Sequence, residues 1–215
     1  AHAIDISGGA VIAVGFVLSA KSKLPDAAFL LDDGRMLLLK NPGHAGETWA
    51  KVAERKVGEG PAIPRAAVFG DFSCDGKPGA IILNDKTISR VSMIAAAPAD
   101  DFARLTGEPL DQVVKAFAIG MKNPVITRID INGDNRPDLI ISSDDAALVL
   151  INRGFGAFLI DKDAGAALAA PGAISLANAR ARCAIHRGGG GGDDLLILSE
   201  DGKLFLVTTP PAKGK

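Results

Sequence analysis

The chain has 215 residues, 47% of them hydrophobic, with 25 Gly, 12 Pro and a formal net charge of −1. That length and apolar share are enough for a sizeable buried core, and the glycines and prolines supply many turns without reaching a disordered composition. A near-neutral balance gives no electrostatic footprint for nucleic acid or an anionic membrane.

Residues 3–7 alternate as a short strand, and the apolar stretch 9–20 is too short and lacks the basic flank of a membrane or signal segment, so it too reads as a strand. Leu24-Pro25 leads into the apolar run 26–31 and the turn Asp32-Asp33-Gly34, and Trp49 falls on an outer strand, where packing is expected rather than a sugar platform. Next comes the loop Asp71-Phe-Ser73-Cys74-Asp75-Gly76-Lys77-Pro78-Gly79, followed by Ala-Ile-Ile-Leu and a turn at Asn84-Asp85-Lys86. Residues 97–121 break the β pattern. Thr106 can cap, Pro109 suits a first turn, and Leu110, Val113, Val114 and Phe117 share a face, so a short helical insertion is expected.

The strand 125–131 runs into Asp130-Ile-Asn132-Gly-Asp134-Asn135-Arg136-Pro137-Asp138 and then Leu-Ile-Ile. Oxygen-bearing side chains stand at loop positions 1, 3, 5 and 9. Ca2+ takes about 6–8 oxygen ligands, so a loop turning Asp130, Asn132, Asp134, the Arg136 carbonyl and Asp138 inward can wrap it. Three carboxylates in nine residues repel unless a cation sits among them, although Asp and Asn at these positions also make good turn residues and Arg128 or Arg136 can neutralise them. The Asp71 loop keeps the frame at Asp71, Ser73, Asp75 and Lys77 but has Gly79 at position 9, which makes it the weaker second site. Asn135 stands where glycine is usual, and Asn tolerates a left-handed backbone better than most side chains.

The same frame recurs without ligands before residue 26 and again around His186, the glycines of 188–192 and Asp194. Position 1 falls at residues 18, 71, 130 and 186, in steps of 53, 59 and 56. Repeats of about 50 residues suit four short strands each. The turn Glu200-Asp201-Gly202 and the last strand 203–208 complete the fourth.

These residues resemble the FG-GAP/VCBS repeat family, whose units are blades of integrin-α-like β-propellers. The likeness rests on Val68-Phe69-Gly70-Asp71 leading to Asp75-Gly76, on 130–139, and on Asn152-Arg153-Gly154-Phe155-Gly156-Ala157-Phe158. It implies that the loop joins a blade's first two strands and holds structural Ca2+ through Asp130, Asn132, Asp134, the Arg136 carbonyl and Asp138. The expected fold is all-β: one propeller domain, 1–215, of four blades with four antiparallel strands each, in repeats 8–60, 61–121, 122–175 and 176–209, with a helical insertion in blade two. Strand 3–7 would supply the missing outer strand of blade four and close the ring; the rival is an open stack, or a fragment that another chain completes.

No catalytic constellation stands out. His2, His44 and His186 lie in different repeats, His186 reads as a solvated loop residue, and the glycine run lacks the Lys-Ser/Thr of a phosphate loop, so it reads as flexible. Cys74 and Cys183 fall in different blades and are expected to be thiols. The expected function is a non-catalytic module for protein–protein contact within a larger extracytoplasmic complex, secreted, periplasmic or at the cell surface. The alternatives are a polysaccharide-active or carbohydrate-binding propeller and a structural spacer.

Overall fold

The computed structural model describes residues 6, 8–18, 23–57, 64–84, 88–93, 100–101, 120–143, 146–169, 176, 179–186 and 191–208. They form four antiparallel sheets in which each strand pairs with its neighbour in sequence. The first sheet holds β1 (Val11–Val17), β2 (Asp26–Leu31), β3 (Arg35–Lys40) and β4 (Ala50–Lys56), and the second β5 (Pro64–Gly70), β6 (Gly79–Asn84), β7 (Ile88–Ser92) and β8 (Asp100–Asp101). The third holds β9 (Val125–Ile129), β10 (Asp138–Ser142), β11 (Ala147–Gly154) and β12 (Ala157–Asp161). A helix, α1 (Lys162–Ala169), follows, and the fourth sheet holds β13 (Ala179–Ile185), β14 (Asp194–Ser199) and β15 (Leu204–Val207).

The second strands are apolar along both faces because the sheets are stacked. In β6, Ala80 and Ile82 pack towards the first sheet with Leu30, Leu38 and Phe69, whereas Ile81 and Leu83 pack towards the third with Leu139 and Ile141. Ile140 faces the other way, joining Leu195 and Ile197 of the fourth sheet. A strand buried on both faces needs a continuous apolar run, which is what 80–83 and 139–141 supply. Each such leucine or isoleucine cut to Ala would cost about 2–5 kcal/mol.

The first strands lie side by side in chain order, β1 against β5, β5 against β9 and β9 against β13. Register slips near the start of β1, β5 and β13, at Val11/Ala13, Pro64/Ala66 and Ala179/Ala181, so three repeats share a bulge at one phase. The tight turns after β2 and β14 are also alike: Gly34 donates to the Leu31 carbonyl and Gly202 to the Ser199 carbonyl, each glycine at φ +81°.

Two expectations change here. Residues 100–101 do not open a helix; their backbone pairs with Ser89 and Arg90 as the outer strand of the second sheet and satisfies the edge of β7. The helix α1 was not anticipated, although Asp161 caps it, accepting from the Ala164 amide at 2.9 Å. Gly165 permits its approach to β11, since a Cβ there would stand 2.9 Å from the Ala147 carbonyl oxygen. The expected helical stretch 102–119 and the expected closing strand, of which only Ile6 is described, lie outside the described residues, and the fourth sheet has three strands among the described residues.

Candidate functional site

The Asp71 and Asp130 loops are one structure built twice. Asp130 Oδ1 accepts from the amides of Gly133 and Asp134 at 2.8 and 3.2 Å, and Oδ2 from Asn135 at 2.8 Å. Asp71 does the same with Asp75 and Gly76, at 3.2 and 2.7 Å. The fifth-position carboxylate accepts from the seventh-position amide in both, Asp134 from Arg136 at 2.9 Å and Asp75 from Lys77 at 3.0 Å. Positions 4 and 6 are left-handed in both loops, at Cys74 and Gly76 and at Gly133 and Asn135. Asn135, at φ +62°, therefore takes the conformation its type tolerates, and Cys74, at φ +57°, is the unexpected case.

The basic residue at position 7 gives more than a carbonyl. Arg136 folds back onto Asp134, and Lys77 lies 3.5 Å from Asp75. Burial works to raise the Asp134 pKa, but hydrogen bonds from the Arg136 side chain and backbone outweigh it and hold this carboxyl below its ordinary value. Ser73, expected to turn into its loop, accepts from Arg90 at 2.6 Å.

Asp138 is fully buried. Its two oxygens accept from the amides of Ile131 and Asn152, at 2.9 and 2.7 Å. Burial pushes its pKa up to about 6 against those two hydrogen bonds, with the Asp134 and Asp130 charges adding to the rise. Asn152, also buried, donates to the carbonyls of Phe72 and Pro137 at 3.1 Å each and accepts from Gly154 at 2.8 Å, so one amide side chain ties both loops to β11.

The donor set of the Asp130 loop suits Ca2+ in kind, being all oxygen. As placed, however, Asp130 and Asp138 face backbone N–H groups and Asp134 faces a guanidinium. Among the described residues, no three Asp, Glu, His or Cys side chains form a group that could hold a metal.

The residues at the four repeat starts, Leu18, Asp71, Asp130 and His186, all line one cavity of about 600 Å³. Arg128 enters it, donating to the Phe69 carbonyl at 3.1 Å; desolvation lowers its pKa, and Asp193 partly offsets that. Cys74 borders the same space, its thiol pushed up by burial and by Asp71. No protein-family model and no curated protein matches this chain. Among solved structures it is similar to BBS1N in complex with ARL6DN, at 14% identity and a TM-score of 0.47, over 98% of this chain and 66% of that one. It is also similar to a lectin from Agrocybe aegerita that recognises non-reducing terminal N-acetylglucosamine, at 17% identity and a TM-score of 0.46, over 86% of this chain and 49% of that one. The chain thus spans less than two thirds of either.

Asp193 is the cavity residue that sequence reasoning missed. Its Oδ1 lies 2.9 Å from His186 Nδ1, its Oδ2 accepts from the Asp130 amide at 2.9 Å, and its own amide donates to the Asp130 carbonyl. His186 is therefore exposed but held. Gly192, read as part of a flexible run, is a close-packing glycine: a Cβ there would fall inside van der Waals contact of the Ile131 carbonyl oxygen. No local pattern marks Asp193, because its place depends on the Asp130 loop of the preceding repeat, 63 residues away.

Proposed function

We propose that the chain is a non-catalytic binding module of the β-propeller type, an FG-GAP-like protein whose four sheets act as blades. A partner protein would be engaged at the end where the repeat-start loops meet. One observation carries the reading: equivalent positions of four repeats, Leu18, Asp71, Asp130 and His186, border a single cavity. Sheets stacked in a plain row would spread those positions along the row, whereas sheets set around an axis bring them together. The cavity's acids are occupied structurally, Asp71 and Asp130 by loop amides and Asp193 by His186 and the Asp130 amide, which favours recognition over acid–base chemistry. Loops gathered at one end of a rigid scaffold are the usual place for contact residues.

Structural Ca2+ in the Asp130 loop belongs to this proposal. Asp130, Asn132, Asp134, the Arg136 carbonyl and Asp138 would hold it, once Asp134 turns from Arg136. The left-handed backbone at Gly133 and Asn135 supports it by curling the loop around its own interior.

The test is capture from a native extract on immobilised protein, followed by mass spectrometry and repeated with Leu18→Glu, a change at a cavity residue that is 60% exposed. The expected result is a protein partner retained by the parent chain and lost by a variant with an unchanged melting temperature. Equal retention by both would overturn the placement of the contact at the cavity.

A further inference from the structure

The hairpin that joins β11 to β12 puts an aromatic ring where the backbone least favours one. Asn152 pairs with Phe158 and Gly154 with Ala157, so Phe155 and Gly156 form a two-residue loop. Both have positive φ, +55° and +76°, which marks a type I′ turn, and its first position normally takes Asn, Asp or Gly. A bulky residue in the left-handed region is strained, and such positions persist only where surrounding contacts over-determine them. Three contacts do so here. Asn152 accepts from the Gly154 amide at 2.8 Å, Arg136 donates to the Arg153 carbonyl at 3.3 Å, and the Arg90 guanidinium lies so close to Gly156 that a Cβ there would collide with it. The ring itself adds nothing to the core. Phe155 is 94% exposed, against 64% for Leu204, the next most exposed large apolar residue among those described. Folding therefore explains neither the strain nor the exposure, and a contact side chain preset for a partner explains both.

We propose that Phe155 is an anchor that enters an apolar pocket on a partner protein, and that acidic side chains edge that pocket. The acidic edge follows from the charge around the turn. Arg153 precedes the loop and is exposed, and its side chain has no partner among the described residues. Arg90 and Arg136 brace the turn, while the carboxylate of Asp134 is taken up by Arg136. Three arginines thus collar one exposed ring in a chain whose net charge is −1, and aromatic and Arg side chains are the ones enriched at the centres of protein interfaces. A protein pocket fits this better than a lipid surface. Even a whole myristoyl chain alone binds a membrane with only about 10⁴ M⁻¹, and one ring with a few basic groups offers less apolar area. Because the loop is fixed before binding, little order has to be created when the ring is buried. Neither Phe155 nor Arg153 lines the central cavity, so this contact rests on the binding-module reading but not on the cavity.

The test places the photoreactive amino acid p-benzoylphenylalanine at position 155 of the full chain and, as a control, at position 52, where Val52 is also exposed. Irradiation in a native extract is expected to give a discrete protein adduct from position 155 that position 52 does not give. With that protein purified, Phe155→Asn is expected to weaken binding at least about ten-fold, and the parent's affinity to fall as salt rises from about 0.1 to 1 M and in Arg153→Glu. Phe155→Asn is also expected to melt about 2–4 °C higher, since Asn suits the turn, whereas a ring kept for the fold would give a drop. The two contacts fail separately, the one at the cavity on Leu18→Glu and this one on Phe155→Asn. An absence of any adduct specific to position 155, an affinity unchanged in Phe155→Asn, or a lower melting temperature in that variant overturns the inference. So does sedimentation of the parent chain, but not of Phe155→Asn, with vesicles of phosphatidylserine and phosphatidylcholine, which would make the ring a membrane contact.

Discussion

The guanidinium of Arg136 rests on the carboxylate of Asp134, with Nη2 2.6 Å and Nε 3.0 Å from the same oxygen, Oδ2. An oxygen that already accepts from two guanidinium nitrogens, and from Asn132 at 3.1 Å, has little left for a metal. Arg136 thus serves Asp134 as a tethered counter-ion, which Ca2+ would have to displace under the proposal above.

The competition is measurable. Ca2+ at about 100 times its dissociation constant would stabilise the chain by about 2.7 kcal/mol, a rise of roughly 5–10 °C in melting temperature at this size. Arg136→Met, which keeps the carbonyl and removes the charge, is expected to tighten Ca2+ binding, and Asp134→Ala to abolish the calcium-dependent rise. Calorimetric titration with and without chelator checks both. A parent chain whose melting is identical in Ca2+ and EDTA would remove the metal from the proposal.

Asp138 gives a pH signature in the metal-free protein. Its folded pKa of about 6 lies above the ordinary 3.8. The folded state therefore holds the proton more tightly than the unfolded one. The stability this group contributes is complete below about pH 4 and is lost as pH climbs through 6, by up to ~3 kcal/mol. In Asp138→Asn that component disappears, so urea denaturation of the two proteins from pH 4 to 7.5 in EDTA should show their difference changing across this window. The variant should also be less stable throughout, because its amide NH2 meets a backbone N–H at Ile131 or Asn152.

At the junction of the third and fourth sheets, Gly192→Ala drives a methyl group into the Ile131 carbonyl and stands 2.9 Å from the Asp130 carbonyl oxygen. Overpacking against main chain costs typically about 1–3 kcal/mol, and here the backbone pairing of Asp193 with Asp130 is disturbed as well. Gly191→Ala, with nothing within 4 Å, should change stability by less than about 0.5 kcal/mol. Chemical denaturation of the pair separates close approach from flexibility.

Asn152→Ala leaves the Phe72 and Pro137 carbonyls and the Gly154 amide without their buried partner. Each unsatisfied group costs about 1–3 kcal/mol, so a loss of several kcal/mol is expected, in contrast to under about 1 kcal/mol at exposed Arg153. Thermal melts of the two alanine variants provide the comparison.

Much of the sheet structure could be read in the chain because it depends on local chemistry. The apolar runs 80–83 and 139–141 announce strands buried on both faces, and the spacing of 18, 71, 130 and 186 announces four units whose starting residues gather at one cavity. The loops were readable as loops for the same reason, since Asp and Asn side chains bond to amides only two to five residues away. What was not readable depends on partners distant in sequence. The pairing of Asp193 with Asp130 and His186, the entry of Arg128 beneath Phe69 and the use of Asn152 by both loops involve contacts that no local pattern encodes. The helix after Asp161 was a different kind of omission: its cap was visible, but glycine at 165 lowers helix propensity by about 1 kcal/mol and hid the signal.

Stacking sheets in sequence order also makes protection from solvent vary along the chain. The second and third sheets are each clamped on both faces, and the fourth on one. Amide hydrogens of β6 and β10 should therefore exchange slowest, near the global limit, while those of β14 and β15 open in a smaller local event. A sheet held on one side can also be gained or lost without rebuilding the others, so a chain of this design can change its number of repeats at the fourth sheet while the middle of the stack keeps its packing.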